Sequence, residues 1–211
     1  MYLPPHFREE DSARLHALIR SRALGLLVTN GPGGLMANPI PFLLDAERGP
    51  HGTLRAHVAR ANPVWHEADG VREALVVFQD VDSYITPAWY ASKREHGRVV
   101  PTWNYATVHV YGPLTVIDEA AWLHDQISAL TDRHESSRSD PWAVTDAPEK
   151  FVEAQVRGIV GIEIPIARME GKWKVSQNRS DADRDGVASG LREIGDADAV
   201  RMAEMVEAAN R

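Results

Sequence analysis

Four short stretches concentrate polar, aromatic and basic side chains beyond what plain β-structure needs. In His57-Val58-Ala59-Arg60-Ala61-Asn62-Pro63 a strand runs into a turn, with Arg60 and Asn62 placed on the loop. A guanidinium beside exposed backbone N–H groups makes a phosphate receptor. The same residues also suit an ordinary turn in which Asn62 caps the chain ahead of Pro63. Ser83-Tyr84-Ile85-Thr86-Pro87-Ala88-Trp89-Tyr90, with Lys93 just beyond, offers flat rings, hydroxyls and one cation. Such a set can stack on a planar ring system and hold an anion, or it can be a core-facing aromatic cluster with Lys93 in solvent. In Val100-Pro101-Thr102-Trp103-Asn104-Tyr105, Trp103 and Tyr105 share a strand face with His109, and Asn104 points the other way. A lone histidine on such a face also suits a structural role. The fourth stretch, Lys172-Trp173-Lys174-Val175-Ser176-Gln177-Asn178-Arg179, is a basic strand end ahead of an acidic helix. Lys174 and Arg179 could bind an anion there, or pair with Asp181 and Asp183.

The well-known signatures are missing. No glycine spacing ends in Gly-Lys-Ser or Gly-Lys-Thr, so there is no P-loop. Gly31-Pro32-Gly33 lacks the third glycine and the following helix of a dinucleotide fingerprint. No histidine pair stands four apart, and Tyr90 and Lys93 are one residue too close for a dehydrogenase pair. There is no Gly-x-Ser-x-Gly elbow. Asp181, Asp183, Asp185 and Gly186 open like a calcium loop, but Arg192 stands at the twelfth place and Glu193 is one late. The simpler reading is an acidic helix start capped by Ser180. With no cysteine at all, thiolate metal sites, disulfides and a cysteine nucleophile are excluded. No catalytic residue and no metal site is assigned.

The elements that must position these stretches follow from periodicity. A helix is expected over about 11–22, with Leu15, Leu18 and Ile19 on one face and Asp11 or Ser12 at its start. A buried strand over 23–29, a glycine-rich turn and a second strand over 35–44 make a hairpin. Pro39 and Pro41 mark that second strand as an edge or a bulge. Further strands are expected over 53–58, over 74–79 with 83–86 continuing an extended path, and over 103–116 (bent at Gly112-Pro113), 158–166 and 172–175. Helices are expected from Asp118 through Leu130, from Pro148 to about Val156, and from Ser180 onward with a break near Gly195. The 211 residues, 44% hydrophobic and 25% charged, fit one folded domain. Hairpins of antiparallel strands with late helices point to a β-barrel with peripheral helices. A formal net charge of -7 gives no global pull toward nucleic acid. No apolar stretch is long enough to span a bilayer and the N-terminus carries no signal pattern, so a cytoplasmic protein with no membrane contact is expected.

Together the stretches carry a family resemblance. Met1-Tyr2-Leu3-Pro4-Pro5-His6-Phe7 opens the chain, then come the segments 57–63, 84–90 with Lys93, and 100–105 continuing through Ala106-Thr107-Val108-His109. Lys174-Val175-Ser176-Gln177-Asn178-Arg179 closes the series. In this order, over nearly the whole chain, they resemble the PaiB-type family of FMN-binding split-barrel proteins. The resemblance implies a mainly β split barrel with peripheral helices, like that of pyridoxamine-phosphate oxidases. It would be a single domain over 1–211 with a helical insertion at about 118–156 and C-terminal helices at about 180–211. It implies FMN as cofactor and a homodimer, and it carries a label of negative transcriptional regulator. By that analogy His57, Arg60, Ala61 and Asn62 would meet the phosphate and ribityl chain. Tyr84, Thr86, Trp89, Tyr90 and Lys93 would line the flavin pocket, and Thr102, Trp103, Asn104 and Tyr105 would approach it. The same fold also hosts flavin-dependent oxidoreductases and haem-handling enzymes, in which His57 or His109 would be a proton donor or ligand. The charge and the lack of a helix-turn-helix give no physical support for direct DNA contact.

Overall fold

A computed structural model describes residues 1–67 and 72–209. The strands in chain order are β1 Arg8–Glu9, β2 Leu24–Gly31, β3 Gly34–Pro41, β4 Leu43–Asp45 and β5 Thr53–Ala59. They continue as β6 Glu73–Ile85, β7 Thr102–Pro113, β8 Thr115–Ile117, β9 Ile159–Pro165 and β10 Arg168–Lys174. The helices are α1 Ser12–Ser21, α2 Ser92–His96, α3 Ala120–Glu135, α4 Glu149–Arg157, α5 Asp181–Ile194 and α6 Ala197–Ala208. The fold is mainly antiparallel β with peripheral helices, as expected. By internal contacts the chain forms two compact units. The first holds Met1–Leu18, Gln79–Val108 and the chain from Glu170 onward; the second holds Ile19–Phe78 and His109–Met169. The division falls inside α1, β6, β7 and β10.

In the first unit the strand order is β1, β10, β7, β6. Asp11 starts α1 by accepting from the Ala13 N–H at 2.9 Å, and Leu15 and Leu18 are its buried face. The two C-terminal helices begin on side-chain caps: Ser180 Oγ accepts from Asp183 N–H, and Asp196 from Ala199 N–H at 2.7 Å. Gly195, at φ 79°, ends α5 where an L side chain would be strained. The expected helical segment reaches residues 210 and 211, which lie outside the described residues.

In the second unit β6, β2 and β3 are neighbours, and a separate sheet runs β4, β5, β9, β8. β9 is buried along Val160, Gly161, Ile162, Glu163 and Ile164 because both its faces are covered. Ile162 and Ile164 pack with Leu54 and Ala56 in the core. On the other face α3 lies so close that a Cβ on Gly161 would collide with the Trp122 ring.

Four expectations are corrected by the strands. The segment 23–29 is not buried throughout: in β2 Leu27 is fully buried while Leu24 and Leu26 are 65% and 40% exposed. This hairpin packs one face and leaves the other open. The strand expected over 35–44 is two strands, β3 beside β2 and β4 beside β5. Between them Phe42 is buried and gives its N–H to the Ala23 carbonyl at 2.8 Å. The segments 74–79 and 83–86 are one strand, β6. The charge that separates them in sequence, Asp80, is buried and held by Arg201 at 2.6 and 2.8 Å. Conversely 103–116 is interrupted at Leu114, ahead of β8.

Candidate functional site

The candidate residues fall in both units. In the second unit β5 delivers His57, and the turn after it presents Arg60, Ala61 and Asn62. Arg60 is fully engaged: it donates to both Asp118 oxygens at 2.9 and 2.5 Å and to the Arg157 and Ile159 carbonyls at 3.0 Å each. Its hydrogen bond to Asp118 raises the Arg60 pKa and lowers that of Asp118. Asn62 Oδ1 accepts from Val64 N–H at 3.0 Å, the cap expected ahead of Pro63, and its amide N–H donates to Asn38 Oδ1 at 3.3 Å. Asn38 Nδ2 and Thr29 Oγ1 are buried without partners on the same face of the β2–β3 hairpin. Ala61 is exposed.

His57 faces α3. It pairs in register with Gly161, the residue under Trp122, and two positions back Arg55 stacks on that same Trp122 ring at 4.9 Å. Burial lowers the His57 pKa, and its Nδ1 has no partner. One turn beyond Trp122, Gln126 is fully buried with both amide atoms unpartnered. Glu163 completes the layer, accepting from Arg48 and from Trp122 Nε1 at 3.2 Å.

The first unit holds the other nine candidates. Lys174, at the end of β10, donates to Thr102 Oγ1 and to the Trp103 carbonyl at 2.5 Å. Lys172 lies 5.2 Å from the Tyr105 ring and donates to the Tyr2 carbonyl at 3.1 Å. Arg179 lies over the Tyr90 ring at 4.6 Å; burial raises the Tyr90 pKa, and the Arg179 charge and hydrogen bond lower it. Asn104 donates to Ser176 Oγ at 2.9 Å and fixes the turn between the two lysines and Arg179; Ser176 itself adopts φ 65°. Burial lowers the Lys174 pKa, and the charges of Lys172 and Arg179 lower it further. The nearby carboxylates make their close contacts elsewhere, although the Arg179 charge helps to lower the Asp183 pKa. Asp181 pairs with Arg184 at 2.5 Å, and Asp183 accepts from Ser92 N–H and Oγ at 2.9 and 2.7 Å. Among the described residues no carboxylate forms an ion pair with Lys172, Lys174 or Arg179. Lys93 is exposed on α2.

Tyr84, Thr86, Trp89 and the Trp103 ring line a separate cavity of about 620 Å³ in the same unit. Thr86 Oγ1 caps the turn 87–89 at 3.2 Å, which sets Trp89 against α5. A Cβ on Gly190 would collide with the Trp89 ring, so the close approach needs glycine. The structure therefore groups Tyr90, Thr102, Asn104 and Tyr105 with the cations, and Tyr84, Thr86, Trp89 and Trp103 with the cavity. Lys174 and Arg179 are the anion-binding candidates of the fourth stretch, and the structure adds Lys172 to them. Their signal in sequence is a basic strand end, ambiguous until the partners of Asp181 and Asp183 are known.

Residues 1–168 match the family described as "Putative FMN-binding domain". The chain is 29% identical over 207 residues to the "Protease synthase and sporulation protein PAI 2" of Bacillus subtilis, covering 98% of this chain and 97% of that one. It is 35% identical over 233 residues to an uncharacterized protein of Emericella nidulans, covering 92% of each. Among solved structures it is similar to the "FAD and Heme binding protein" of Mycobacterium smegmatis, with a TM-score of 0.58 and 19% identity over 87% of this chain and 80% of that one. That likeness bears on the fold, the split-barrel class expected from the sequence. The donor set of the first unit fits a phosphorylated flavin: three cations that make no carboxylate ion pair among the described residues, with the Tyr90 and Tyr105 ring faces beside them.

Proposed function

The chain belongs to the FMN-binding-domain family, with FMN as its cofactor, and from that membership we propose that it works as a PaiB-type flavoprotein whose FMN phosphate is held by Lys174 and Arg179, with Lys172 adding charge. The observation that carries this reading is the partly buried Lys174 amine, pressed by two like charges and answered by no carboxylate ion pair. A dianionic phosphate relieves that repulsion. Thr102 and Asn104 hold the cations in place, and Tyr90 and Tyr105 offer ring faces. FMN supplies electron-transfer chemistry when bound. The protein's part is to bind and orient it.

The test is an absorbance spectrum of the purified protein followed by titration with FMN. Oxidised-flavin bands or saturable binding are expected. A protein that neither carries nor takes up FMN overturns the reading.

The same reading includes a homodimer. The open face of β2 and β3 shows Leu24, Leu26 and Leu35, the last 78% exposed, more apolar surface than one hairpin of a monomer exposes at no cost. Sedimentation should give twice the chain mass, and Leu26→Lys should shift it toward the monomer; a monomeric wild-type protein defeats this part. The regulatory label is proposed to act through FMN occupancy and not through direct DNA contact. An oxidoreductase reading has His109 as its remaining proton donor, since His57 is packed beneath α3.

A further inference from the structure

The cavity lined by Tyr84, Trp89 and Trp103 has a composition that a phosphate-bearing cofactor does not explain. Among the described residues its charged lining is Asp82, Asp196 and Asp198, and neither lysine nor arginine lines it. Asp196 spends one oxygen on capping α6, and Asp82 accepts from the Gln79 amide at 3.2 Å. The helix end offsets about half a charge, and Arg201, which does not line the cavity, offsets part of the Asp198 charge; with three carboxylates the cavity keeps a net negative field. Three apolar side chains at its wall stay half in solvent: Tyr84 49%, Trp103 53% and Ile194 54% exposed. Tyr84 and Trp103 meet edge to face with centroids 5.9 Å apart, forming an open aromatic corner. Exposed aromatic surface of this kind, rimmed by charge of one sign, marks a recognition site. Ring faces and carboxylates both favour the same ligand charge, because the negative quadrupole of an aromatic face attracts a cation.

We propose that this cavity binds a small organic monocation that carries its charge on an apolar head, of the quaternary ammonium or N-alkylpyridinium kind. The head fills the Tyr84–Trp103 corner and the carboxylates supply the counter-charge. A hydrated metal ion has no use for the aromatic walls, and an anion is repelled. The site meets the proposed flavin position at one residue, Trp103, whose carbonyl accepts from Lys174 while its ring lines the cavity. The inference does not depend on flavin, and binding is read on the purified protein without added FMN.

The experiment compares choline with 3,3-dimethylbutan-1-ol, which has the same shape without the charge. Titration calorimetry and tryptophan fluorescence give both affinities on the wild-type protein. Choline should bind at least about tenfold more tightly than the alcohol. Joint replacement Asp82→Asn and Asp198→Asn should weaken choline severalfold and leave the alcohol unchanged, with the α6 cap Asp196 intact. Trp103→Ala should weaken both. Equal affinities for the two probes on the wild-type protein overturn the proposal, as does an absence of saturable choline binding. The wild-type comparison stands even where a variant does not fold.

Discussion

Lys174 is the side chain on which the cofactor reading turns. Burial holds its pKa below the ordinary lysine value, and Lys172 and Arg179 push in the same direction. A bound phosphate raises that pKa again, so FMN binding takes up protons wherever the free amine is partly deprotonated. Affinity should therefore be highest below the lowered pKa and fall as pH rises through it, earlier than the usual lysine value of about 10.4 would give. Fluorescence titrations of FMN across that range check the direction; a flat profile removes Lys174 from the phosphate. Lys174→Met should weaken binding by about 1.5–3 kcal/mol, the range for a hydrogen bond to a charged group. Arg60→Ala should instead leave FMN affinity nearly unchanged and lower the thermal midpoint, because Arg60 is spent on Asp118 and two carbonyls. A large loss of FMN affinity in that variant would return the phosphate to the β5 turn. The family resemblance placed the phosphate at Arg60, and the residue types alone left both sites open. Arg60 looked available because its partner lies 58 residues away, and Lys174 looked ambiguous because Ser92, the partner of Asp183, lies 91 residues away. Local spacing sets which side chains reach a turn, but competition for each charge is a tertiary fact.

The elements show where local signals suffice. Caps and breakers were legible: Asp11 ahead of α1, Ser180 ahead of α5, Pro148 ahead of α4 and Gly195 after α5 act within a few residues of their own position. Strand continuity was legible only in part: the residues between 79 and 83 were assigned to no strand, and Asp80 fits inside β6 because Arg201 pairs with it. The layer between α3 and the β5–β9 sheet was also invisible, and it contains a testable imperfection. Gln126 is fully buried with neither amide atom bonded, and the buried His57 Nδ1 is likewise unpartnered. Each unmet buried polar group costs about 1–3 kcal/mol, whereas methionine has nearly the same volume and no such need. Gln126→Met should raise the urea midpoint without changing the slope of the transition. A lowered midpoint would mean that a bound water or ligand satisfies the amide in solution. By the opposite logic Gly161 tolerates no side chain, because Trp122 occupies the space a Cβ would need.

At the scale of the whole molecule the question is how a flavin-binding chain relates to gene control. The Bacillus subtilis relative carries sporulation in its name, yet this chain has a formal net charge of -7. Non-specific DNA affinity comes from neutralised phosphates, and its salt dependence counts them. Lys172, Lys174 and Arg179 gather in the first unit, so DNA bound through these three alone would show a log–log salt slope no steeper than about −3. Those are also the cations assigned to the FMN phosphate, so the two ligands would compete. The expected outcome is no retardation of duplex DNA at low salt, with or without FMN. A weak shift that FMN abolishes would make the cofactor itself the switch, because occupancy of one anion site would then exclude the other. A shift with a steeper salt dependence that survives saturating FMN would require a second basic surface. It would overturn the proposal that regulation runs through the flavin site alone.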